Sequence, residues 1–181
     1  MGHVCPWWHV YTFDNALRRL FYNPVAIFGP YVNPGDTVMD LGCGAGFNSI
    51  GLARIVGKKG RVFSVDLQQE MLNILHRRIK KTALADRIHT HRCQANSLGI
   101  EEMFDFINAF WMVHEVPDIR EFLRQVHSTL RPKGKFLVAE PRFHVSARDF
   151  QKMILTAQEV GFTICNQPHI AFSRVVVFSK T

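Results

Sequence analysis

Residues 40–46 read Asp-Leu-Gly-Cys-Gly-Ala-Gly, an acid followed by three glycines set two apart. Glycine carries no Cβ, so such a run lets the backbone close on a ligand. Twenty residues beyond Gly46 stands a second acid, Asp66, at the end of an apolar run. A carboxylate there can accept both hydroxyls of a ribose. Later in the chain, His114, Glu115, Glu140, Arg142 and His144 are groups able to hold or move protons. Spacing excludes two ligands. A phosphate-cradling loop, G-x-x-x-x-G-K-[ST], needs a lysine that nothing after Gly46 supplies. A dinucleotide loop, G-x-G-x-x-G, needs a third glycine at 47, which is Phe47. A ribose-bearing ligand without a phosphate clamp fits the pattern. S-adenosylmethionine (SAM) is such an aminoacyl nucleoside. Its ammonium favours Asp40, and its carboxylate favours backbone N–H groups at the next helix start.

These groups need elements to hold them. TVMDL (37–41), RVFSVD (61–66), RIHTHRC (87–93), FDFINAF (104–110) and KFLVAE (135–140) read as strands. Helices are predicted over 47–56, over 68–82 with Leu72, Leu75 and Ile79 on one face, and from Asp118 along the stripe Ile119, Phe122, Leu123, Val126 and Leu130. RPKG (131–134) reads as a turn. Ser146 and Asp149 resemble a capping box opening a helix that Gly161 stops. Two strands, 162–166 and 171–178, close the chain. Residues 10–30 read as helical, with Asp14 and Asn23-Pro24 as helix starts, and NPGD (33–36) as a turn. Strand and helix alternate, which implies an α/β fold: a mostly parallel sheet with helices on both faces.

The pieces VMDLGCGAGFNSIGLA (38–53), VFSVDLQQEML (62–72), FDFINAFWMVHEVPD (104–118) and LRPKGKFLVAE (130–140) stand in the order and spacing of the class I SAM-dependent methyltransferases. The chain resembles that family over about residues 34–179, nearest the branch of quinone-biosynthesis and arsenite methyltransferases. The resemblance implies a Rossmann-like, doubly wound, seven-stranded sheet ending in an antiparallel hairpin. It implies a SAM-binding domain over 34–181, with S-adenosylhomocysteine as product. It places Asp40, Gly42, Cys43, Gly44 and Gly46 around the methionine end, Asp66 on the ribose and Leu67 against adenine. Family members offer an acid to the adenine amino group after the third strand. Here the loop is Gln94-Ala95-Asn96, and an amide oxygen of Gln94 or Asn96 takes that place. Phe110 lines the cofactor. Cys43 reads as a small loop residue, since a thiol nucleophile needs an activating partner.

Methyl transfer needs an aligned acceptor and, for some acceptors, a base. His114 is the first choice for base or acceptor-orienting group, with Glu140 and His144 behind it. A plainer role for His114 is to fix its own loop by a hydrogen bond. His114, Glu115, Glu140 and His144 could hold a metal, but no spacing demands one and none is expected. Residues 1–33 read as a helical lid, with Trp7, Trp8 and Tyr11 in the acceptor pocket and Cys5 and His9 facing it; a clasp closing the core is the alternative. The four cysteines form no C-x-x-C pair, which argues against structural zinc. Only Cys5 and Cys43 could meet a metalloid, so arsenite is disfavoured. No run of about 18 apolar residues suggests a membrane span, and the first residues lack a signal peptide's pattern, so a cytoplasmic protein is expected. The net charge of +7 would attract anions. Yet Asn108-Ala109-Phe110-Trp111 is not the Asn-Pro-Pro-aromatic run of amino-methylating enzymes, and no cysteine follows a proline. A small-molecule acceptor is favoured over nucleic acid or protein. A SAM-binding sensor or partner without catalysis is the third reading. The oligomeric state is open.

Overall fold

A computed structural model describes residues 22–180. Strands β1 Thr37–Leu41, β2 Arg61–Asp66, β3 Ile88–Arg92, β4 Phe104–Phe110, β5 Leu130–Pro141, β6 Phe162–Asn166 and β7 Ser173–Lys180 form one sheet. Their order is β3-β2-β1-β4-β5-β7-β6. The first five run parallel, and β7 runs antiparallel to both β5 and β6. Helices α1 Pro24–Phe28, α2 Phe47–Val56, α3 Gln69–Ile79, α4 Ile119–Thr129 and α5 Ala147–Val160 cover its faces.

The periodicities explain both layers. Leu52 and Val56 of α2 and Leu72, Leu75 and Ile79 of α3 bury with Val38, Val62 and Phe106 on one face. Phe122, Leu123 and Val126 of α4 and Phe150, Met153 and Ile154 of α5 bury with Ile107, Phe136 and Val138 on the other. Caps set the helix ends. Asn23 accepts from the Val25 N–H at 3.1 Å, Asp118 from Glu121 at 3.0 Å and Ser146 from Asp149 at 3.1 Å. Gly161, at φ 112°, ends α5 in the left-handed conformation.

Several boundaries differ from the sequence expectations. Within the described part of 10–30, helix is confined to Pro24–Phe28, because Gly29 and Pro30 stop it. Its Asp14-capped portion and the rest of residues 1–21 of the 1–33 lid, with Cys5, Trp7, Trp8, His9 and Tyr11, lie outside the described residues. Helix α3 ends at Ile79, where Thr82 turns back on the Ile79 carbonyl through both its N–H and its hydroxyl. The turn expected at 131–134 is instead part of β5, which bulges there: Phe104 pairs with Leu130 and Phe106 with Lys135, and Lys133 takes φ 65°. Strand β7 starts two residues late, after Phe172 turns at φ 56°.

Strand order reverses between β1 and β4, so the ligand crevice lies at their carboxyl ends. The crossover helices α2 and α3 start at that edge and end at the opposite one. Residues 54–92 hold ten lysines and arginines against three acids, while the rest of the chain holds twelve of each. The net charge of +7 therefore belongs to that stretch. Arg54, Lys58, Lys59, Arg77 and Lys80 lie in or beside the last turns of α2 and α3, where cations complement the helix dipoles.

Candidate active site

The glycine loop leaves β1 in a conformation that only glycine adopts freely. Gly42, Gly44 and Gly46 have φ of 62°, 52° and 87°. Each also meets different surroundings. A Cβ on Gly42 would lie 2.8 Å from the Met112 side chain, and one on Gly46 would lie 2.2 Å from Cδ1 of Leu75 in α3. A Cβ on Gly44 would meet nothing within 4 Å. Gly46 thus performs the close packing between loop and helix that a dinucleotide loop assigns to its third glycine. Gly44 borders open space. Helix α2 begins on Gly46, so no side chain caps its first turn. Those N–H groups suit a carboxylate.

Two acids hold the loop. Asp66, at the end of β2, accepts from the Gly44 N–H at 2.9 Å and from the Gln68 N–H at 2.9 Å. Burial raises its pKa above the ordinary carboxylate value, and the N–H groups of Gln68, Gly44 and Leu67 offset part of that rise. Asp40 is buried to 1% exposure and faces inward. One oxygen accepts from the Ser49 hydroxyl at 2.6 Å, the other from the Asn108 amide at 2.7 Å. It bolts β1 to α2 and β4. Ser49 was not singled out in the sequence, and Asn108 was weighed only as part of a motif, not as a partner of Asp40. Cys43 is buried, and burial, with the charges of Asp66 and Asp40, pushes its thiol well above the usual range. A buried thiol kept protonated is a poor nucleophile.

The other cofactor candidates flank this crevice. Leu67 follows Asp66, and its carbonyl accepts from the Arg92 guanidinium at 3.3 Å. Gln94, Ala95 and Asn96 are exposed on a tight turn closed by Gln94 and Ser97, whose backbones bond each other. The Asn96 carbonyl accepts from Gln125 at 3.0 Å. Phe110 is buried at the end of β4, edge-on to Tyr22 at 5.7 Å. The next residue, Trp111, sits at φ 61°, an uncommon conformation for a bulky side chain. Its N–H donates to the Ala139 carbonyl at 2.7 Å and its indole to Ser173 at 3.0 Å. These bonds fix the turn that carries Met112 onto the glycine loop and His114 towards β5.

His114, Glu140 and His144 come together although 26 and 30 residues separate the latter two from the first. His114 Nδ1 lies 2.5 Å from Glu140 Oε2, and Glu140 Oε1 accepts from the Val113 N–H at 2.9 Å. The His114 ring meets that of His144 at 4.7 Å. The Glu140 side chain is 3% exposed and that of His114 is 19% exposed, so the carboxylate is hidden and the imidazole reachable. Burial pushes the His114 pKa down, but its hydrogen bond to Glu140 and the charges of Glu140 and Glu115 outweigh this and leave it raised. In the neutral ring, with Nδ1–H donated to Glu140, Nε2 would present a lone pair. Among the described residues no group of three His, Cys, Asp or Glu is arranged to hold a metal ion.

A parallel sheet of this order, its antiparallel β5-β7-β6 end and a glycine loop at the switch point define the class I SAM-dependent methyltransferase fold. The comparisons with known proteins narrow this. A family model described as a methyltransferase domain matches residues 32–170, and the chain belongs to that family. It is 30% identical over 128 residues to a demethylmenaquinone methyltransferase of Lactobacillus johnsonii, covering 70% of this chain and 50% of that protein. It is 32% identical over 143 residues to a 2-phytyl-1,4-naphtoquinone methyltransferase of Synechococcus elongatus, covering 77% and 61%. The chain thus spans about half the length of the curated relatives it matches. A SAM-dependent methyltransferase from Aquifex aeolicus shares the fold with a TM-score of 0.87 at 20% identity, over 98% of this chain and all of that one. SAM is the cofactor of this family, and the open face of Gly44, the uncapped start of α2 and Asp66 fit it. No helix among the described residues is long and apolar enough to cross a membrane.

Proposed function

We propose that the chain methylates a small aromatic diol of the quinol type, with His114 as the base. SAM, when bound, supplies an electrophilic methyl group on a sulfonium, and the thioether departs as the methyl transfers. Gly44, the first turn of α2 and Asp66 hold the cofactor, while Leu67, Phe110 and the 94–96 turn border its nucleoside. Nε2 of His114 removes a proton from the acceptor hydroxyl, which makes the neighbouring ring carbon nucleophilic; after that carbon has taken the methyl, its own hydrogen leaves as a proton and the imidazolium returns a proton to the oxygen. Glu140 keeps the imidazole in the tautomer that accepts there and stabilises the imidazolium. His144, against the His114 ring, orients the acceptor. One proton is released for each methyl transferred.

The observation that carries this reading is the His114–Glu140 pair two residues beyond Met112, which itself packs on Gly42. The printed activities of the relatives favour a quinol ring. The placement of charge favours a small molecule over RNA, because Arg54, Lys58, Lys59, Arg77 and Lys80 gather in or beside the last turns of α2 and α3, while Arg78 and Arg92 are engaged by the Ala45 and Leu67 carbonyls. The test is turnover of 1,4-naphthalenediol with SAM, followed as S-adenosylhomocysteine. His114→Asn should lower kcat by about 10²–10⁴-fold, the usual worth of a general base, with SAM affinity retained. Full activity in His114→Asn would refute the base. Loss of SAM affinity along with activity would reassign His114 to the cofactor site. SAM binding without turnover on a broad panel would favour a sensor.

A further inference from the structure

Two clefts flank α5. The one beside α4 holds His114 and Glu140, and both of its cations are neutralised: Arg120 pairs with Glu159, and Lys152 with Asp149 at 3.1 Å. The other, of ≈340 Å³, lies between α5, the start of β7 and the 167–169 segment that precedes it. Its size falls within the roughly 300–1,000 Å³ of small-molecule sites. Phe150 forms the wall common to the two clefts. Arg142 and Arg174 line the second cleft, and none of its lining residues is an acid. Both arginines are fixed in place. Nε of Arg142 donates to the Ser173 carbonyl at 2.9 Å, and Nε of Arg174 to the Val145 carbonyl at 3.1 Å. Each guanidinium is thus held by one edge, which leaves its two terminal nitrogens as a fork of donors. Among the described residues neither arginine pairs with a carboxylate. Glu140 stands opposite Arg174 across β5 and β7, but its oxygens are taken by His114 and by the Val113 N–H.

From this we infer that the second cleft binds a phosphate monoester, its phosphoryl group on the Arg142 and Arg174 forks. Arginine forks match phosphate oxygens in pairs. Two like charges held in one concave space repel each other, and a bound dianion removes that repulsion. A monoester carries about −1.5 to −2 near neutral pH, which two arginines balance. A carboxylate or a phosphodiester, with a single negative charge, balances only one of them. Gln151 and Gln167 bring amide donors to the same cleft. Phe150, Ile154 and Val175, all buried, give it an apolar floor on which the ester's organic group rests. The ester is a second ligand and not the methyl acceptor, because the wall at Phe150 divides this cleft from the one that holds His114. Arg142, two residues from Glu140 and from His144, therefore serves a site of its own.

The experiment is calorimetry at fixed ionic strength on the full chain loaded with S-adenosylhomocysteine, so that the first turn of α2 is already occupied. The probes are phenyl phosphate, inorganic phosphate, benzoate and single-stranded oligoadenylate. Phenyl phosphate should bind about tenfold more tightly than inorganic phosphate, through partial burial of its ring, and more tightly than benzoate. Arg142→Gln and Arg174→Gln should each weaken it by about 10- to 150-fold, the loss of hydrogen bonds to a charged group. Either change also removes a bond to the backbone, so Gln151→Glu is the second variant. It alters only an exposed side chain of α5, sets a carboxylate beside the forks, and should weaken phenyl phosphate by at least about tenfold. Lys58→Gln, an exposed cation beyond the end of α2, should leave the affinity unchanged. No binding of phenyl phosphate to the wild type overturns the inference, as does full affinity in folded Gln151→Glu or an equal loss in Lys58→Gln. Equal affinity for inorganic phosphate or for benzoate refutes a monoester as the ligand. Oligoadenylate binding that Gln151→Glu abolishes, with phenyl phosphate unbound, would assign the cleft to a nucleic-acid backbone instead.

Discussion

Two glycines of one loop should fail in opposite ways. In Gly46→Ala the new methyl would lie 2.2 Å from Cδ1 of Leu75, at a φ of 87°. The left-handed backbone costs an alanine roughly 1–2 kcal/mol. Forcing a methyl into the packed contact with α3 adds about 1–3 kcal/mol. The total, roughly 2–5 kcal/mol, is a large part of the 5–15 kcal/mol that holds a typical domain together. In Gly44→Ala only the first cost applies, because nothing lies within 4 Å of the added methyl. Its space is the one assigned to SAM, so the methyl should weaken binding by about 5- to 150-fold, the equivalent of 1–3 kcal/mol of overpacking. Urea unfolding gives the stabilities and calorimetry with SAM the affinities. Adding Leu75→Ala to Gly46→Ala should reveal a coupling of at least about 1 kcal/mol, since it removes the clashing group. Equal stability losses in the two glycine variants, or unaltered SAM affinity in Gly44→Ala, would refute the division of roles within the loop.

Further outcomes follow from the same geometry. The raised His114 pKa predicts that kcat/KM climbs with pH through a value above 6.5. Glu140→Gln leaves burial as the larger influence, so the inflection should move to lower pH while the plateau falls. The raised imidazole also adds stability that is complete below pH 6.5 and disappears as pH rises through its folded value; unfolding of Glu140→Gln across that window should lack this loss. Asp40→Asn should destabilise by roughly 1–3 kcal/mol, read by urea unfolding, because a neutral amide replaces the buried carboxylate that accepts from both the Ser49 hydroxyl and the Asn108 amide. Among Cys43, Cys93 and Cys165, iodoacetamide at pH 8 should modify only exposed Cys165, as mass mapping would show. Burial raises Cys43 and holds Cys93 at about 11.

The sequence by itself determined the layers, the cofactor edge and the candidate groups. Strands 37–41, 61–66 and 104–110 were legible to the residue, because an apolar run ended by a turn signal is a local feature. The capping residues Asn23, Asp118 and Ser146 were legible for the same reason. Spacing alone distinguished the glycine loop from the phosphate-binding kinds. Tertiary structure decided which groups act together. Asp40 faces Asn108 because β1 and β4 pair in that register, and no pattern within either strand encodes it. Glu140 reaches His114 because β5 lies beside β4 and Trp111 turns back onto Ala139. The bulge at Lys133 escaped prediction because its residues have the composition of a turn, and only pairing to Phe104 draws them into the strand. The three glycines are alike as letters. Leu75, Met112 and an open space make them different, and those neighbours come from separate elements that meet only once the sheet has closed.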